Sequence, residues 1–579
     1  MLRSPTKGLA TTATARAINA AWAASCRRER RRFLTATDDV AAVQGRLLAD
    51  IVEANVASDA GRRYRFDKCL AAHQNLLDEF RFRVPPTTYD DLAPDIERIA
   101  DGEPNVLTTE PVTILQPTSG STGGRKLIPL TATVQRQFQR AISAWIGDLY
   151  TARPGVRRGR AYWSISPAMA PTTPSAGRIP VGFADDTEYL GGIERLAVNR
   201  VLAVPSDAVR SATIDSFRRR TLAHLLVAPD LALISVWSPT FLTALVDELL
   251  NDPGAAIALA TKLDRRAARH AAEILRSSAP DHEKLARLWP KLDTISCWAD
   301  GAAAGFLQAV HERFPHVAVQ PKGLLATEAF LSFPLEGHRG AALAVRSHFF
   351  EFDPVGGGGP TLLAHQLDVG GRYQPLVTTG GGLYRYRLGD VVEVVGNVGG
   401  CPLIRFVGRA ATADLVGEKL DDAFASHAVS SVLASQAPSL IAAASNGASP
   451  DALLLPVAMS STPRYVLTIE RSAIARGSGS YLLDGRAEWA ELQPVADALD
   501  AQLRANPHYA YARDVGQLAP VAVVTTPPGT TPRGLYEAVM TGRGVRVGDI
   551  KPVTLVTAPD IAAQLAAVTL GRTPADAAS

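Results

Sequence analysis

Gln116-Pro117-Thr118-Ser119-Gly120-Ser121-Thr122-Gly123-Gly124-Arg125-Lys126 follows the apolar run Val112-Thr113-Ile114-Leu115 and precedes a helical pattern from Thr133 to Tyr150. Glycines let a backbone approach a ligand closely, and successive amides form an anion cradle. The Ser and Thr hydroxyls add donors, and Arg125 and Lys126 add positive charge. The segment suits a triphosphate; a flexible surface loop is the plain alternative. A Walker A loop needs Gly-Lys-Ser/Thr at its end, and Arg125-Lys126-Leu127 stands there instead.

Outward from this segment, short strand patterns alternate with helical ones. Val40 to Ala57 places Val43, Leu47, Ile51 and Val52 near one helix face. Val84-Pro85-Pro86 predicts an extended connector. Phe138, Ile142, Trp145 and Leu149 recur at helical spacing. Leu231 to Val236 and Trp237 to Asn251 form a strand-helix pair, and Leu292 to Ile295 and Val317 to Val319 read as buried strands around a helix from Phe306 to Phe314. This alternation predicts an α/β architecture of mixed sheets and helices over residues 1–408. After Arg409 the texture changes. Pro463 to Glu470 and Val521 to Val524 read as strands, and Trp489, Leu492, Val495, Leu499 and Leu503 mark one face of a helix. A smaller α+β domain over residues 409–579, about 170 residues, is the expectation.

Composition bounds the partners. The 579 residues carry 60 Lys+Arg against 57 Asp+Glu, a formal charge of +3. So little charge on so long a chain argues against nucleic acid or an anionic membrane as the main partner. Hydrophobic residues at 46% and charged residues at 20% rule out a disordered chain. Cys26, Cys69, Cys297 and Cys401 match no metal spacing and no dense disulfide framework, so a reduced, cytoplasmic setting is expected. The longest apolar stretch, Leu225 to Trp237, holds Pro229 and Asp230 and is too short to span a bilayer. No apolar core follows the N-terminal Lys and Arg, so no secretory signal is expected. Residues 1–36 mimic an organelle transit peptide in composition, but a surface helix opening the fold is the preferred reading, with Arg27 to Arg32 on a solvated face.

Two further segments carry candidate chemistry. Gly382-Leu383-Tyr384-Arg385-Tyr386-Arg387-Leu388-Gly389-Asp390 ends a glycine-containing turn on an acid that can accept two hydrogen bonds from a ribose diol. Taken alone, it reads equally well as a strand with one polar face. In Gly323-Leu324-Leu325-Ala326-Thr327-Glu328, a carboxylate beside phosphates would most usefully hold magnesium, whereas in isolation Thr327-Glu328 reads as a helix start.

In this order and at these distances, the three segments resemble the adenylate-forming superfamily of acyl-CoA synthetases, adenylation domains and luciferases. More specifically, the chain resembles the Gretchen Hagen family of acyl-acid amido synthetases, known from plant auxin conjugation and also found in bacteria. The narrower resemblance rests on Val84 to Asp91 with Ile96 to Glu103, Trp289-Pro290-Lys291-Leu292, His348-Phe349-Phe350-Glu351-Phe352, and Gly382 to Asp390 with Phe406-Val407-Gly408-Arg409 and Gly417-Glu418-Lys419. Asn506-Pro507-His508-Tyr509 with Arg513, and Gly548-Asp549-Ile550-Lys551-Pro552, extend it to about residue 560. The high Ala and Arg content suggests a bacterial-type member.

The resemblance implies a large N-terminal ATP- and acyl-binding domain (1–408), a smaller mobile C-terminal domain (409–579), and ATP at their junction. It implies that Thr118, Ser119, Gly120, Ser121, Thr122 and Lys126 bind phosphates. Thr327 and Glu328 would touch AMP and magnesium, Asp390 the ribose, and Arg409 and Lys419 the nucleotide zone. Lys551 matches a lysine that reaches the active site, so Lys551 and Glu328 are the expected catalytic pair. The family's adenine-packing tyrosine is matched by Leu324, whose aliphatic side chain covers a purine face without aromatic stacking. The implied reaction joins a carboxylic acid to an amine, an amino acid, with ATP and Mg2+, in a monomer. The acyl pocket is expected near Ser164 to Asp185, Trp298 and Phe350, with Arg178 a candidate for a second acidic group. Gly529 to Gly544 is expected as a mobile loop. A thioester ligase shares the first half-reaction, and a catalytically silent binding protein on the same fold is the other alternative.

Overall fold

The computed structural model describes residues 12–118, 126–164, 179–181, 200–205, 214–356, 359–410, 412–416, 418–436, 451–458, 462–470, 485–514, 516–527, 529–545 and 550–569. The chain divides into two compact units. The first runs through residues 12–118, Lys126–Ala299 and Arg313–Phe406; the second takes Asp300–Glu312 and the chain from Val407.

The first unit opens with helices α1 (Thr12–Ala36), α2 (Val40–Ala54), α3 (Asp59–Arg63), α4 (Phe66–Ala71), α5 (Leu76–Arg83) and α6 (Tyr89–Ala100). Helix α1 buries Trp22, Cys26 and Phe33 and turns Arg27, Arg28 and Arg31 outward, the face its charge pattern predicts. In α2 the buried face is Val40, Gln44, Leu48, Ile51 and Val52 rather than the face through Val43 and Leu47. The shift has a cause. Gln44 is polar but fully used: its amide donates to the carbonyls of Val345 and His348 and accepts from the Phe350 amide. A polar residue satisfied on all sides can occupy a core position that hydrophobic periodicity assigns to its neighbours.

Strands β1 (Ile114–Pro117) and β2 (Leu127–Leu130) pair antiparallel and lead into α7 (Ala132–Ala152). Thr131 caps α7, and Val134, Phe138, Ala141 and Ala144 bury one stripe. Strands β3 (Arg160–Trp163), β4 (Leu231–Ser235), β5 (Thr294–Cys297) and β6 (Ala318–Pro321) then form a parallel sheet in that order. Every residue of β4 and β5 is buried, as strands covered on both faces require. A second sheet of eight strands follows: β7 (Ser332–Pro334), β8 (Ala341–Leu343), β9 (Phe349–Pro354), β10 (Leu362–Leu363), β11 (Arg372–Thr378), β12 (Tyr386–Arg387), β13 (Asp390–Val398) and β14 (Cys401–Arg409). Its order is β10-β9-β11-β13-β14-β8-β7, with β12 beside β11.

This sheet is locked to the N-terminal helices through Arg385. The residue adopts a left-handed φ of 49° and is buried. Its guanidinium donates to both carboxylate oxygens of Glu351 (2.9 and 3.2 Å) and to the Val84 carbonyl at 2.8 Å, and Arg81 shares Glu351 at 2.8 Å. The segment is therefore not a strand with a solvated polar face; only Arg387 is exposed, paired with Asp353 at 2.7 Å. Removing one partner of a buried pair costs about 3–5 kcal/mol. Arg385→Ala should sit near the lower end, because Arg81 remains. Urea midpoints should show Arg385→Ala with Glu351→Ala losing clearly less than the sum of the two single changes.

In the second unit, β17 (Ala452–Val457), β18 (Arg464–Ile469) and β19 (Ala522–Thr525) follow the short pair β15 (Thr412–Ala413) and β16 (Leu420–Asp421). Strands β17 and β18 pair antiparallel, β18 and β19 parallel. Leu454 and Leu467 face the helices Asp422–Gln436 and Gly485–Leu503, while Leu453, Leu455 and Val466 face Pro532–Gly542 and Pro559–Thr569. Gly529 to Gly544 is not a loop. Thr531 caps a helix there, Pro532 starts it, and Tyr536 and Met540 bury one side. Among the described residues, no helix is long and apolar enough to cross a membrane.

Candidate active site

The first segment is framed by a closed hairpin. The Thr118 amide donates to the Lys126 carbonyl at 2.9 Å, just beyond the last β1–β2 pair. Both residues are half-buried, and the Thr118 hydroxyl is enclosed without a hydrogen-bond partner among the described residues. Lys126 Nζ lies 5.5 Å from the centre of the Tyr89 ring, whose hydroxyl accepts from the Leu127 amide. Ser119, Gly120, Ser121 and Thr122 lie outside the described residues.

The second segment forms a tight hairpin rather than a helix start. Leu325 bridges Phe330, the Ala326 amide donates to the Ala329 carbonyl, and Thr327-Glu328 form the two-residue tip. Gly323 permits this geometry: a Cβ there would stand 2.0 Å from the Ser332 carbonyl oxygen. Leu324 packs against the core. Phe330 next to the tip meets Phe138 of α7 edge-on at 6.0 Å, and its amide donates to His348 Nε2 at 3.2 Å.

The third segment also leans on α7. The Gly380 amide donates to Gln137 at 3.1 Å, and a Cβ on Gly381 would meet Val134 Cγ2 at 2.7 Å. Gly382 turns with φ of 93° beneath Leu107. The chain then runs through Tyr384, whose hydroxyl donates to the Leu107 carbonyl at 2.7 Å, to Asp390, buried at the start of β13. The first half of α7 thus touches the elements carrying the second and third segments and is joined directly to β2, the strand after the first.

His348 keeps this arrangement neutral. Burial, with Arg140 nearby, pushes its imidazole down to about 3, so it accepts the Phe330 N–H uncharged. The unfolded chain protonates near 6.5 while the folded one resists, so this group's stability contribution is complete above 6.5 and is lost as pH falls toward 3. Asp451, raised to about 6, contributes the opposite slope below 6. The difference between wild type and His348→Gln therefore isolates the effect: between pH 6.5 and 5 the wild-type denaturation midpoint should fall more steeply than the variant's.

In the second unit, Arg409 ends β14, half-buried and near the Tyr536 hydroxyl. Lys419 is exposed with a left-handed φ of 48°, whereas Glu418 beside it is fully buried and accepts from the amides of Leu415 and Val416 and from the Tyr465 hydroxyl. Lys551 is half-buried on the rim of a cleft with Asp451, Arg533, Tyr536 and Phe306 among its walls. Its strap is anchored: Asp422 accepts from the amides of Thr554 and Leu555 (3.0 and 2.7 Å), and Leu555 bridges Leu454 of β17.

The expectation for the acyl pocket needs one correction. Phe350 is fully buried against His348 and belongs to the core. Trp298 is half-exposed, and Arg178 and Asp185 lie outside the described residues. Sequence reasoning missed Lys322, whose ammonium donates to Ser235 Oγ at 2.7 Å between Trp145 and Trp237. A lysine directly after a strand pattern and before Gly323 was the available signal. Among the described residues no group of three or more His, Cys, Asp or Glu stands ready to hold a metal.

Residues 29–319 match the family model described as the GH3 family N-terminal domain, and residues 341–409 match the GH3 family central domain. Among curated proteins, indole-3-acetic acid-amido synthetase GH3.8 of Oryza sativa subsp. indica is 25% identical over 577 residues, covering 92% of this chain and 91% of that protein. Indole-3-acetic acid-amido synthetase GH3.4 of Arabidopsis thaliana is 24% identical over 423 residues, covering 66% and 69%. Among solved structures, AtGH3.15 acyl acid amido synthetase in complex with 2,4-DB superposes with a TM-score of 0.71 at 21% identity, over 93% of this chain and 96% of that one.

Proposed function

The chain belongs to the GH3 family, and on that premise we propose that it is an acid–amino acid ligase: it activates a carboxylic acid with ATP and transfers the acyl group to an amino acid. The observation that carries this reading is the convergence on α7. The hairpin presenting Thr327 and Glu328, the glycine turn leading to Asp390, and the strand after the phosphate-type loop all meet its first half.

In the first step a carboxylate oxygen attacks the α-phosphorus of ATP. The new P–O bond forms as the bond to the β-phosphate breaks, and pyrophosphate leaves. Two anions must meet, so the protein has to supply positive charge and donors. Thr118, Ser119, Gly120, Ser121, Thr122 and Lys126 are assigned to the phosphates, Thr327 to AMP and Asp390 to the ribose. Arg409 and Lys551 are assigned to supply positive charge, with Lys419 a weaker assignment. In the second step the amine nitrogen attacks the acyl carbon, the bond to AMP breaks, and the nitrogen loses a proton. We assign residues 409–579 the role of a mobile domain that serves both steps.

Glu328 fits a hard cation that keeps most ligands from phosphate and water, since it is a single carboxylate at a hairpin tip. Mg2+ there would neutralise phosphate charge. The four cysteines are all buried and form no disulfide, which supports a reducing compartment such as the cytoplasm. A monomer with no nucleic-acid or membrane partner is consistent with the balanced charge.

The acceptor is tested by turnover. With a competent acid, a pool of amino acids should accelerate AMP formation and yield an amide detectable by mass. Acceleration by coenzyme A alone would replace the amide reading with thioester formation.

A further inference from the structure

The strap that carries Lys551 is an extended edge whose outward amides are closed by one side chain. Ile550 is buried in the apolar cluster with Leu453, Val524 and Tyr536, and Pro552 biases Lys551 toward extended backbone. Farther on, Leu555 bridges Leu454 of β17. The Leu454 amide donates to the Thr554 carbonyl at 2.7 Å, and the Val556 amide to the Leu454 carbonyl at 3.0 Å. This bridge uses the amide of Val556, so that of Leu555 points away from β17 and needs another acceptor. Asp422 takes the place of a next strand: its Oδ1 accepts from the Thr554 amide at 3.0 Å and the Leu555 amide at 2.7 Å. One helical turn on, Ser426 Oγ accepts from the Thr554 hydroxyl at 3.0 Å. Ser426, Thr554 and Lys551 line one cleft.

This clamp is costly for the carboxyl. Burial pushes its pKa above the ordinary aspartate range, while the Leu555 and Thr554 amides pull it back. A carboxylate spent on two neighbouring amides fixes the backbone between them, because its charge-assisted bonds are short and directional. Asp422 also stands at a junction. It directly follows β16, whose hairpin partner β15 begins three residues after Arg409, and it opens the helix Asp422–Gln436. Glu418 closes the loop of that hairpin on the amides of Leu415 and Val416. The Lys551 strap is thereby tied, through one side chain, to the hairpin that follows Arg409.

Resting on the adenylation reading and on the place of Lys551 in it, we infer that Asp422 is the positioning residue for Lys551: by holding the amides of Thr554 and Leu555 it fixes where the Lys551 ammonium stands during acyl-adenylate formation. Moving a working group by about 1 Å costs on the order of 10²-fold in rate. The effect of Asp422 therefore appears in the chemical step rather than in ATP binding.

The test measures single-turnover pyrophosphate release with ATP, Mg2+ and an acid that wild type accepts from an aryl, indolyl and fatty panel. Asp422→Ala should lower the saturated rate about tenfold or more, with the half-saturating ATP concentration within about threefold of wild type. Asp422→Asn keeps Oδ1 as acceptor and should restore most of the rate. Made in Lys551→Ala, Asp422→Ala should add less than about a threefold loss, because the group it positions is already gone. A purely structural role lowers the thermal midpoint and leaves the rate of folded protein unchanged. Wild-type rates in folded Asp422→Ala overturn the inference, as does a further loss of about tenfold in the Lys551→Ala background. In both cases wild type still releases pyrophosphate, and adenylation stands. No release from folded wild type with any acid of the panel overturns the adenylation reading, and the inference with it. If Asp422→Ala does not fold, Asp422→Glu decides. One methylene longer, it should displace the strap and lower the rate about tenfold with Lys551 present and not in Lys551→Ala; a wild-type rate there overturns the inference.

Discussion

Asp390→Ala should lower the rate of acyl-adenylate formation at limiting ATP by a factor on the order of 10²–10⁴. A carboxylate accepting both hydroxyls of a ribose makes two charge-assisted bonds, each about 1.5–3 kcal/mol, and each 1.36 kcal/mol is tenfold in rate. The side chain is buried at the start of β13, directly after Gly389, so it cannot relax away from its position. A purely structural role predicts something else: a lowered thermal midpoint with an unchanged KM for ATP. Asp390→Asn separates the two, because it keeps the volume and one acceptor. It should recover stability while leaving ATP affinity well below wild type.

Lys551→Ala should reduce adenylation about 10²–10³-fold, the cost of removing one donor aimed at developing charge, without unfolding the protein. The lysine is half-buried, and the strap that carries it is held by Asp422 and by the bridge to Leu454, neither of which involves its side chain. ATP binding should therefore change little while single-turnover pyrophosphate release falls. Wild-type single-turnover rates in folded Lys551→Ala protein would remove this lysine from the mechanism.

The stretches on which the family resemblance rests turn out to be scaffold as much as site. Thr88 and Asp91 form the capping box of α6, and Arg98 ties Asp59 to Glu103. Glu351 from the His348 to Phe352 run binds Arg385 from the Gly382 to Asp390 run. Asn506 accepts from the amides of His508 and Tyr509, and Arg513 pairs with Asp500. Thr88–Asp91 and Asn506 act within three residues, while Asp59–Arg98 and Glu351–Arg385 join stretches 39 and 34 residues apart. Simple periodicity was readable too, although Ile146 to Tyr150 are all buried and Ile142 and Trp145 of the expected face are only half-buried. The pattern from Thr133 to Tyr150 is the helix Ala132–Ala152.

Where reading failed, long-range packing had decided. Gln44 displaced the apolar face of α2 because its amide found three backbone partners from residues 345 to 350. Thr327-Glu328 form a hairpin tip because the Ser332 hydroxyl and backbone close the preceding turn, which no local signal around Glu328 announces. Gly529 to Gly544 is glycine-rich yet helical because Tyr536 and Met540 find an apolar face of the small sheet. Lys322 escaped notice because its partners, Ser235, Trp237 and Trp145, come from three separate elements.

The central claim is acyl-adenylate formation. The most direct measurement mixes the folded protein with ATP labelled on its α-phosphate, Mg2+ and aryl, indolyl and fatty acids in turn, without any acceptor, and looks for the mixed anhydride by mass alongside pyrophosphate. The account predicts an acid-dependent acyl-AMP in amounts stoichiometric with protein, discharged to an amide when amino acids are added. ATP bound normally, with no acyl-AMP and no pyrophosphate from any acid, would contradict it.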